Sequence, residues 1–187
     1  MSEDIKNALQ ILKEGGVILY PTDTIWGIGC DATNESAVEK IHAIKKREKE
    51  KSMLILLDNS AKLQTYVQDV PNIAWDLIDL ADKPLTIIFN GAKNLAPNLI
   101  SDDGTIGIRI TSENFSQKLC WRFRKPIVST SANFAGQTAP GNFKDIDPEI
   151  IKSVDYVVKY RRNEILKLKP SSILKLGSKG SIKIIRE

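Results

Sequence analysis

The sequence has few of the side chains that most often build metal sites and nucleophilic triads. It contains two cysteines, Cys30 and Cys120, and one histidine, His42, in 187 residues. The cysteines form no CxxC pair, so a zinc site is not expected. A Cys–His pair or a Ser–His–Asp triad would have to use His42, which lies in the helical stretch AVEKIHAIKK and is predicted to be structural or solvated.

Long apolar runs and targeting signals are also missing. No apolar stretch approaches the roughly 20 residues that a membrane span requires. The N-terminal segment MSEDIKNALQILKEGG has no basic region followed by an apolar core, as a secretory signal would have. We therefore expect a cytoplasmic enzyme or binding protein that does not contact a membrane.

Two common nucleotide-binding signatures are absent as well. The sequence has no GxxxxGKS or GxxxxGKT phosphate loop, and WGIGCDA contains GxG without the third glycine and leads into a loop instead of a helix. The GSKGS segment near the C-terminus is predicted to be a hairpin turn. Any nucleotide site must therefore be built in another way.

The remaining composition fits one globular domain over residues 1–187. Hydrophobic residues make up 42% of the chain and charged residues 27%, enough apolar material for one sizeable core. The net charge of +4 suits a nucleotide, a phosphate or RNA as partner, and it is equally compatible with ordinary surface charge.

Helical and strand periodicities alternate along the chain. The first helix should end before Gly15, and Asn34 is predicted to cap the second. Further helices are predicted at 71–82 and 112–124, the latter with Phe115, Leu119 and either Trp121 or Phe123 as apolar contacts. Strands are predicted at 17–20, 53–58, 84–89, 105–110, 126–130 and 154–159, with a closing hairpin over 171–187. The pattern predicts an α/β domain with a twisted, mostly continuous mixed sheet and flanking helices.

Short polar side chains follow two of these strands. Thr22, Asp23 and Thr24 come directly after Pro21, in YPTDTIWGIGCDA, and the glycines that follow would let a ligand approach the backbone. The second cluster is STSAN, residues 129–133, after the strand PIV. Each cluster is either a capped turn or a substrate-binding segment.

Cations are placed at two further strand ends. Lys45, Arg47 and Lys51 lead from a helix into a strand, where they could neutralise a polyphosphate or form salt bridges with the neighbouring Glu48 and Glu50. Arg109 lies on a strand of small and apolar residues, so it needs an anion, which is either a structural carboxylate or a ligand.

The order and spacing of these segments resemble one family, the YrdC-like domain of the threonylcarbamoyl-AMP synthases. That family carries a YPTDT or YPTET strand end followed by GLGC, a KxR motif and an SxN motif. The matching segments here are YPTDTIWGIGCDA, Lys45-Lys46-Arg47 and Ser131-Ala132-Asn133, and the family's PLT and TVAVR strands are matched by KPLTIIF and TIGIR. The resemblance extends from about Gly15 to Arg186.

The resemblance implies a function in tRNA modification. Threonine and bicarbonate would form a carbamate, which attacks the α-phosphorus of ATP and releases pyrophosphate. The product, threonylcarbamoyl-AMP, would pass to a tRNA threonylcarbamoyl transferase complex. Mg²⁺ would arrive with the triphosphate, and the fold would present a concave basic cleft with a possible contact to tRNA or double-stranded RNA.

The resemblance also implies roles for individual residues. Lys45, Arg47 and Lys51 would neutralise the phosphates, and Asn133 would orient them. Arg109 would bind the threonine carboxylate, and Thr24 would hold the threonine. The remaining assignments are Ser129 and Ser131 beside threonine or its carbamate, Ser171 beside the amino acid, Thr105 beside the nucleotide and Arg186 closing over ATP. Lys45, Arg47, Ser131 and Asn133 are the predicted catalytic residues.

The sequence departs from the family pattern at several positions. Glu48 follows the KxR arginine and Ser52-Met53 follow Lys51, where the family often has prolines. Leu56 replaces a histidine found in some members, and Lys83 replaces the commoner glycine of GPLT. Two alternatives therefore stay open: an RNA-binding module without catalysis, and a paralogue that binds nucleotide but has lost efficient adenylation.

Overall fold

Helices and strands alternate through the chain, as the predicted periodicities require. The structure is a computed structural model and describes residues 1–46, 53–177 and 181–187. The helices are α1 (Ser2–Lys13), α2 (Glu35–Lys45), α3 (Leu63–Tyr66), α4 (Asn72–Asp79), α5 (Asn114–Phe123) and α6 (Pro148–Ser153). The strands are β1 (Ile18–Tyr20), β2 (Gly27–Gly29), β3 (Leu54–Leu57), β4 (Leu85–Phe89), β5 (Ile106–Ile110), β6 (Ile127–Ser131), β7 (Tyr156–Val157), β8 (Ser172–Leu176) and β9 (Ile182–Arg186). Short 3-10 helices cover Ser60–Lys62, Pro97–Leu99 and Phe143–Asp145.

The strands form one mixed sheet, which confirms the predicted fold class. Their order is β7-β1-β2-β6-β3-β5-β4-β8-β9. The pairs β1–β7, β3–β5 and β4–β8 are parallel. The other neighbouring pairs are antiparallel, including the predicted closing hairpin of β8 and β9.

Two predicted helix boundaries are confirmed. The Asn34 side chain accepts a hydrogen bond from the Ala37 N–H at 3.1 Å and caps α2. The first helix stops before Gly15, whose φ of +71° lies in the left-handed region that glycine tolerates best. His42 is buried on α2, so of the two predicted roles the structural one fits and the solvated one does not.

Each face of the sheet carries an apolar core. Alternate residues of a strand point to opposite faces, so Leu19 of β1 packs into a core with α2, α3, α4 and α6, while Ile18 and Tyr20 pack into a second core with α1 and α5. In the second core, Phe115, Leu119 and Phe123 lie on one stripe of α5. Of the two predicted alternatives, Phe123 is therefore the apolar contact; Trp121, two positions from Leu119 on the opposite side of the helix, is 65% exposed.

Strand β2 was not predicted from the sequence. It has only three residues, two of them glycines, and it pairs with both β1 and β6. A Cβ at Gly29 would lie 2.4 Å from the carbonyl oxygen of Val128 and 2.7 Å from the Tyr20 ring. Gly29 is therefore required by strand packing. Gly27 borders a cavity, so the predicted approach of a ligand to the backbone concerns Gly27 and not Gly29.

Candidate functional site

A cavity of about 240 Å³ lies on the sheet face that α1 and α5 cover only in part. In β6 the apolar Ile127 packs under the helices, and the next residues on that face, Ser129 and Ser131, line the cavity. In β3 and β5 the lining residues are Leu54, Gly107 and Arg109. The cavity also contains Thr24, Thr105, Ser171 and Arg186, so the fold brings together these predicted site residues from distant parts of the chain.

Lys45 supports the STSAN segment from the C-terminal turn of α2. Lys45 is buried, and its Nζ donates to the carbonyl oxygen of Ser131 and, at 2.7 Å, to that of Asn133. The Asn133 side-chain amide donates to the carbonyl oxygens of Phe134 at 3.0 Å and Gln137 at 2.7 Å. The Asn133 Oδ1 atom is buried and has no hydrogen-bond partner within the described part of the chain.

Arg109 forms a buried ion pair with Asp23. The Nη2 of Arg109 lies 3.1 Å from Oδ1 of Asp23, and the two side chains are 4% and 7% exposed. Burial raises the pKa of the Asp23 carboxyl, and the positive charge of Arg109 opposes that rise. The sequence predicted that Arg109 would pair with either a structural carboxylate or a ligand. In the structure, its anionic partner is the structural carboxylate Asp23. The Nε of Arg109 is buried without a hydrogen-bond partner in residues 1–46, 53–177 and 181–187.

The segment that carries Asp23 is both a capped turn and a cavity wall. Thr22 Oγ1 donates to the Ile25 carbonyl oxygen at 2.7 Å and accepts from the Thr24 N–H at 3.0 Å. Arg161, from the loop after β7, donates to the Thr22 carbonyl oxygen at 2.9 Å. Thr22 is therefore committed to the turn, while Thr24 lines the cavity.

One pair of hydroxyl groups and a surface carboxylate fix the opposite wall of the cavity. Thr86 Oγ1 lies 2.8 Å from Ser171 Oγ, and Arg186 Nε donates to the Ser171 carbonyl oxygen at 2.9 Å. Asp103 accepts from the Thr105 hydroxyl at 2.6 Å and from Lys175 at 2.8 Å. The hydrogen bonds from Lys175 and Thr105 lower the pKa of Asp103 to about 2. Sequence reasoning missed Thr86, although it is the one polar residue of the strand LTIIF.

Two guanidinium groups border the same cavity. The pKa of Arg186 is lowered by burial and by the nearby positive charge of Arg109. Arg186 is exposed to solvent and Arg109 is buried. An anion placed between them would be favoured, because it would relieve their repulsion and the desolvation cost of Arg109.

Several predicted residues lie elsewhere. Arg47 and Lys51, together with the Glu48 and Ser52 departures, lie outside the described residues. Met53 lines the cavity, and Leu56 is fully buried in the core under α1 and α5. Lys83 borders a second cavity, which Asp23 also lines.

No helix in the described ranges is long and apolar enough to cross a membrane.

Comparisons with known proteins agree with the sequence motifs. The Sua5/YciO/YrdC family model, described as "Telomere recombination", matches residues 10–187. A threonylcarbamoyl-AMP synthase of Pseudoalteromonas translucida (strain TAC 125) is 36% identical over 157 residues, which cover 82% of this chain and 84% of the relative.

Solved structures show the same fold. The crystal structure of E. coli YciO has a TM-score of 0.82 at 28% identity and covers 100% of this chain and 90% of that chain. P. abyssi Sua5 complexed with L-threonine has a TM-score of 0.86 at 20% identity and covers 97% of this chain. Only 53% of the P. abyssi chain is matched, so this chain spans about half of that protein. The family model and the relatives together establish that the chain belongs to the Sua5/YciO/YrdC family.

Proposed function

We propose that the chain is a threonylcarbamoyl-AMP synthase. It would join L-threonine and bicarbonate as a carbamate and transfer the adenylyl group of ATP to it, releasing pyrophosphate. The observation that carries the proposal is the cavity wall. It combines a buried Arg109, whose Nε has no partner in the described chain, with the hydroxyl-bearing residues Ser129, Ser131 and Ser171. A guanidinium among hydroxyls suits a small, polar carboxylate ligand.

The residues divide between the two substrates. Arg109 would bind the threonine carboxylate, with Thr24, Ser129, Ser131 and Ser171 around the amino acid and its carbamate. On the nucleotide side, Thr105 and Arg186 would contact ATP, and Arg47 and Lys51 would face its phosphates. Lys45 would act through the backbone carbonyl oxygens of Ser131 and Asn133, which its buried ammonium group holds.

The chemistry needs positioning and charge more than proton transfer. The carbamate oxygen is already an anion, so it can attack the α-phosphorus without a base, and negative charge then moves onto the departing pyrophosphate. Fixed cations stabilise that charge. Mg²⁺ would arrive with ATP as part of the substrate. Asn133 is not among the residues that line the cavity, so it would orient the phosphates through the STSAN segment, which its side-chain amide fastens to the carbonyl oxygens of Phe134 and Gln137.

The first experiment is a pyrophosphate-release assay with ATP and Mg²⁺, omitting threonine and bicarbonate in turn. We expect release only when both are present. Pyrophosphate release that depends on neither threonine nor bicarbonate, or no release at all, would contradict the proposal. Either result would favour an RNA-binding module or a degenerate nucleotide-binding protein.

Two substitutions test the predicted catalytic residues. Arg47→Ala and Ser131→Ala should each lower turnover by about a hundredfold or more, since under this proposal each would remove a group that contacts the reacting phosphate or carbamate. Circular dichroism and thermal melting should show that both variants remain folded. Normal turnover in both would mean that the site is assigned to the wrong residues.

A contact with tRNA is a second candidate, suggested by one face of α5. Trp121 is 65% exposed, and the exposed Lys118, three residues before it, lies on the same face of the helix; the exposed Arg122 follows on the adjoining face. An aromatic ring among cations can stack on an unpaired base while the cations contact phosphates. Such binding should weaken steeply as salt rises, and Trp121→Ala should weaken it further. RNA binding that is affected neither by salt nor by Trp121→Ala would exclude this face of α5 as the tRNA contact.

A further inference from the structure

The Asp23–Arg109 pair suggests a role for a carboxylate that the family resemblance left without one. This inference rests on the proposed function, because it assumes that Arg109 receives the carboxylate of an amino acid. In the described chain, the guanidinium of Arg109 has one acidic contact, Asp23 Oδ1 at 3.1 Å, which is an ion pair without hydrogen-bond geometry, and its Nε has no hydrogen-bond partner. A ligand carboxylate can therefore bind Arg109 while Asp23 stays in place, because a guanidinium has five N–H donors in a planar fork.

Asp23 also determines the local charge. Arg109 and Arg186 bring two positive charges to one cavity, and Asp23 neutralises one of them. The pair thus leaves a net single positive charge for a singly charged carboxylate. Without Asp23, the buried guanidinium of Arg109 would lose its acidic contact within the described chain while the exposed Arg186 still repels it, and it should move from its position.

A second cavity lies on the Asp23 side of the ion pair. Asp23 lines a second cavity of about 240 Å³, together with Lys83, Thr111 and Gln117. Arg109 lines the first cavity and Asp23 the second, so the carboxylate lies on the side of the guanidinium that faces away from the first cavity. A contact placed there can hold the guanidinium at the cavity wall without occupying the space of a ligand.

A second layer of charges fixes Asp23 itself. Arg161 donates to the carbonyl oxygen of Thr22, the preceding residue, at 2.9 Å. Arg161 also forms ion pairs with Glu113 at 3.6 Å and with Glu164 at 2.8 Å. Glu113 and Arg161 are the other charged groups that act on Asp23. The turn is therefore anchored independently of any ligand.

We propose that Asp23 is a positioning residue: it holds the Nη2 end of Arg109 so that the remaining N–H donors face the carboxylate of the amino-acid substrate. Asp23 does not touch the substrate and acts only through Arg109. Substitution should therefore change recognition of the carboxylate and leave the nucleotide side of the reaction unaffected.

The test compares Asp23→Asn with a matched control, Asp31→Asn. Asp31 is an equally buried carboxylate, 7% exposed, that pairs with Lys125 at 2.6 Å, and it does not line the cavity. In D23N, the KM for threonine should rise about tenfold or more while the KM for ATP stays unchanged, since one charge-assisted contact has been lost. The preference for threonine over threoninamide, which lacks the carboxylate, should fall by a similar factor. D31N should keep both KM values and the preference.

Three results would overturn the proposal. An unchanged KM for threonine in D23N would show that Arg109 is positioned without Asp23. A lowered KM would show that Asp23 competes with the substrate for Arg109. A rise in both KM values, with the preference over threoninamide intact, would mean a structural role alone. If D23N does not fold, Arg161→Gln replaces it, and the KM for threonine should rise about threefold through the loosened turn; no rise would count against the proposal.

Threonine binding by calorimetry without ATP separates this inference from the proposed function. If the unmodified protein binds threonine but releases no pyrophosphate, the synthase proposal fails, and weaker threonine binding in D23N still supports the role of Asp23. If the unmodified protein shows no affinity for threonine, the role of Asp23 fails whatever the outcome of the pyrophosphate assay.

Discussion

Lys45 shows how a charged residue can act on a site through the backbone. Its ammonium group is buried at the end of α2 and donates to the carbonyl oxygens of Ser131 and Asn133. These contacts fix the direction in which STSAN leaves β6, and therefore the placement of the Ser131 hydroxyl. The KxR lysine thus has a structural effect in addition to the charge that the sequence suggested.

Lys45→Met should destabilise the protein and lower turnover. The methionine fills a similar volume but removes the donor of the Asn133 carbonyl oxygen and leaves the Ser131 carbonyl oxygen with the Asn133 N–H alone, which should cost about 1–3 kcal/mol in the free energy of unfolding. Urea denaturation measures the loss, and pyrophosphate release measures the effect on turnover. Lys46→Met is the control, because the Lys46 side chain is 72% exposed and should change little. Equal stability of the two variants would contradict the structural role.

Among the secondary-structure elements, α1 is tied to the sheet by one carboxylate. Asp4 Oδ1 accepts from the Tyr156 hydroxyl at 2.7 Å and from the Lys159 N–H at 2.9 Å, joining α1 to β7 and the residues after it. Burial tends to raise the pKa of Asp4, but these hydrogen bonds and the N-terminal ammonium outweigh it, so the pKa is lowered.

Asp4→Ala should therefore destabilise the protein in a pH-dependent way. A lowered folded pKa means that the contribution of Asp4 is present above its unfolded pKa, roughly 4, and is lost as the pH falls through the folded value. We expect a loss of about 1–3 kcal/mol at pH 7, measured by urea denaturation, and a smaller loss at pH 3. Glu3→Ala is the control, since Glu3 is exposed in the same helical turn. A difference between D4A and the unmodified protein that does not change with pH would argue against the carboxylate contacts.

The elements that the sequence predicted best are those with clear periodicity. Strands β3, β4 and β6 and helices α1, α2 and α5 have enough apolar residues at regular spacing to be recognised. Strand β2 could not be, because its glycines give no apolar signal and its role depends on packing against Tyr20 and Val128. The contact between Asp23 and Arg109 could not be found either, since only the order of the strands brings residues so distant in sequence together.

The predicted residues that line the cavity came mainly from motifs. Polar residues at strand ends marked STSAN and YPTDT, and the family resemblance added Ser171 and Arg186 from segments that carry little signal alone. Thr86 was missed because a single threonine in a strand is common. The direction of the Lys45 side chain needed the structure, because a lysine at a helix end usually faces solvent.

At the scale of the whole molecule, each of the two apolar cores contains one cysteine. Cys30 lies in the core with α2 and Cys120 in the core with α1 and α5, and burial raises the pKa of both thiols. Neither should react with a thiol reagent at pH 8 until the protein unfolds, because only the exposed thiolate is nucleophilic.

Labelling of the two thiols tests whether residues 1–187 form one cooperative domain. In increasing urea, both cysteines should become reactive at the same concentration, which mass spectrometry of the labelled peptides can resolve. Single-cysteine variants, Cys30→Ala and Cys120→Ala, serve as controls for assignment. Exposure of one thiol well before the other would mean that the two sheet faces unfold separately.

The parallel pairs β1–β7 and β4–β8 have a consequence for how the chain reaches this structure. Each joins strands far apart in sequence, Ile18 to Tyr156 and Leu85 to Ser172, so neither can form on a ribosome before most of the chain has emerged. Such long-range pairings require large loops to close, and the loss of chain entropy comes before the strand contacts can stabilise the structure. Folding should therefore take milliseconds to seconds, not microseconds. During that interval the apolar strands of the sheet centre are exposed, and the cavity, whose walls run from Thr24 to Arg186, is not complete until the last strand has paired.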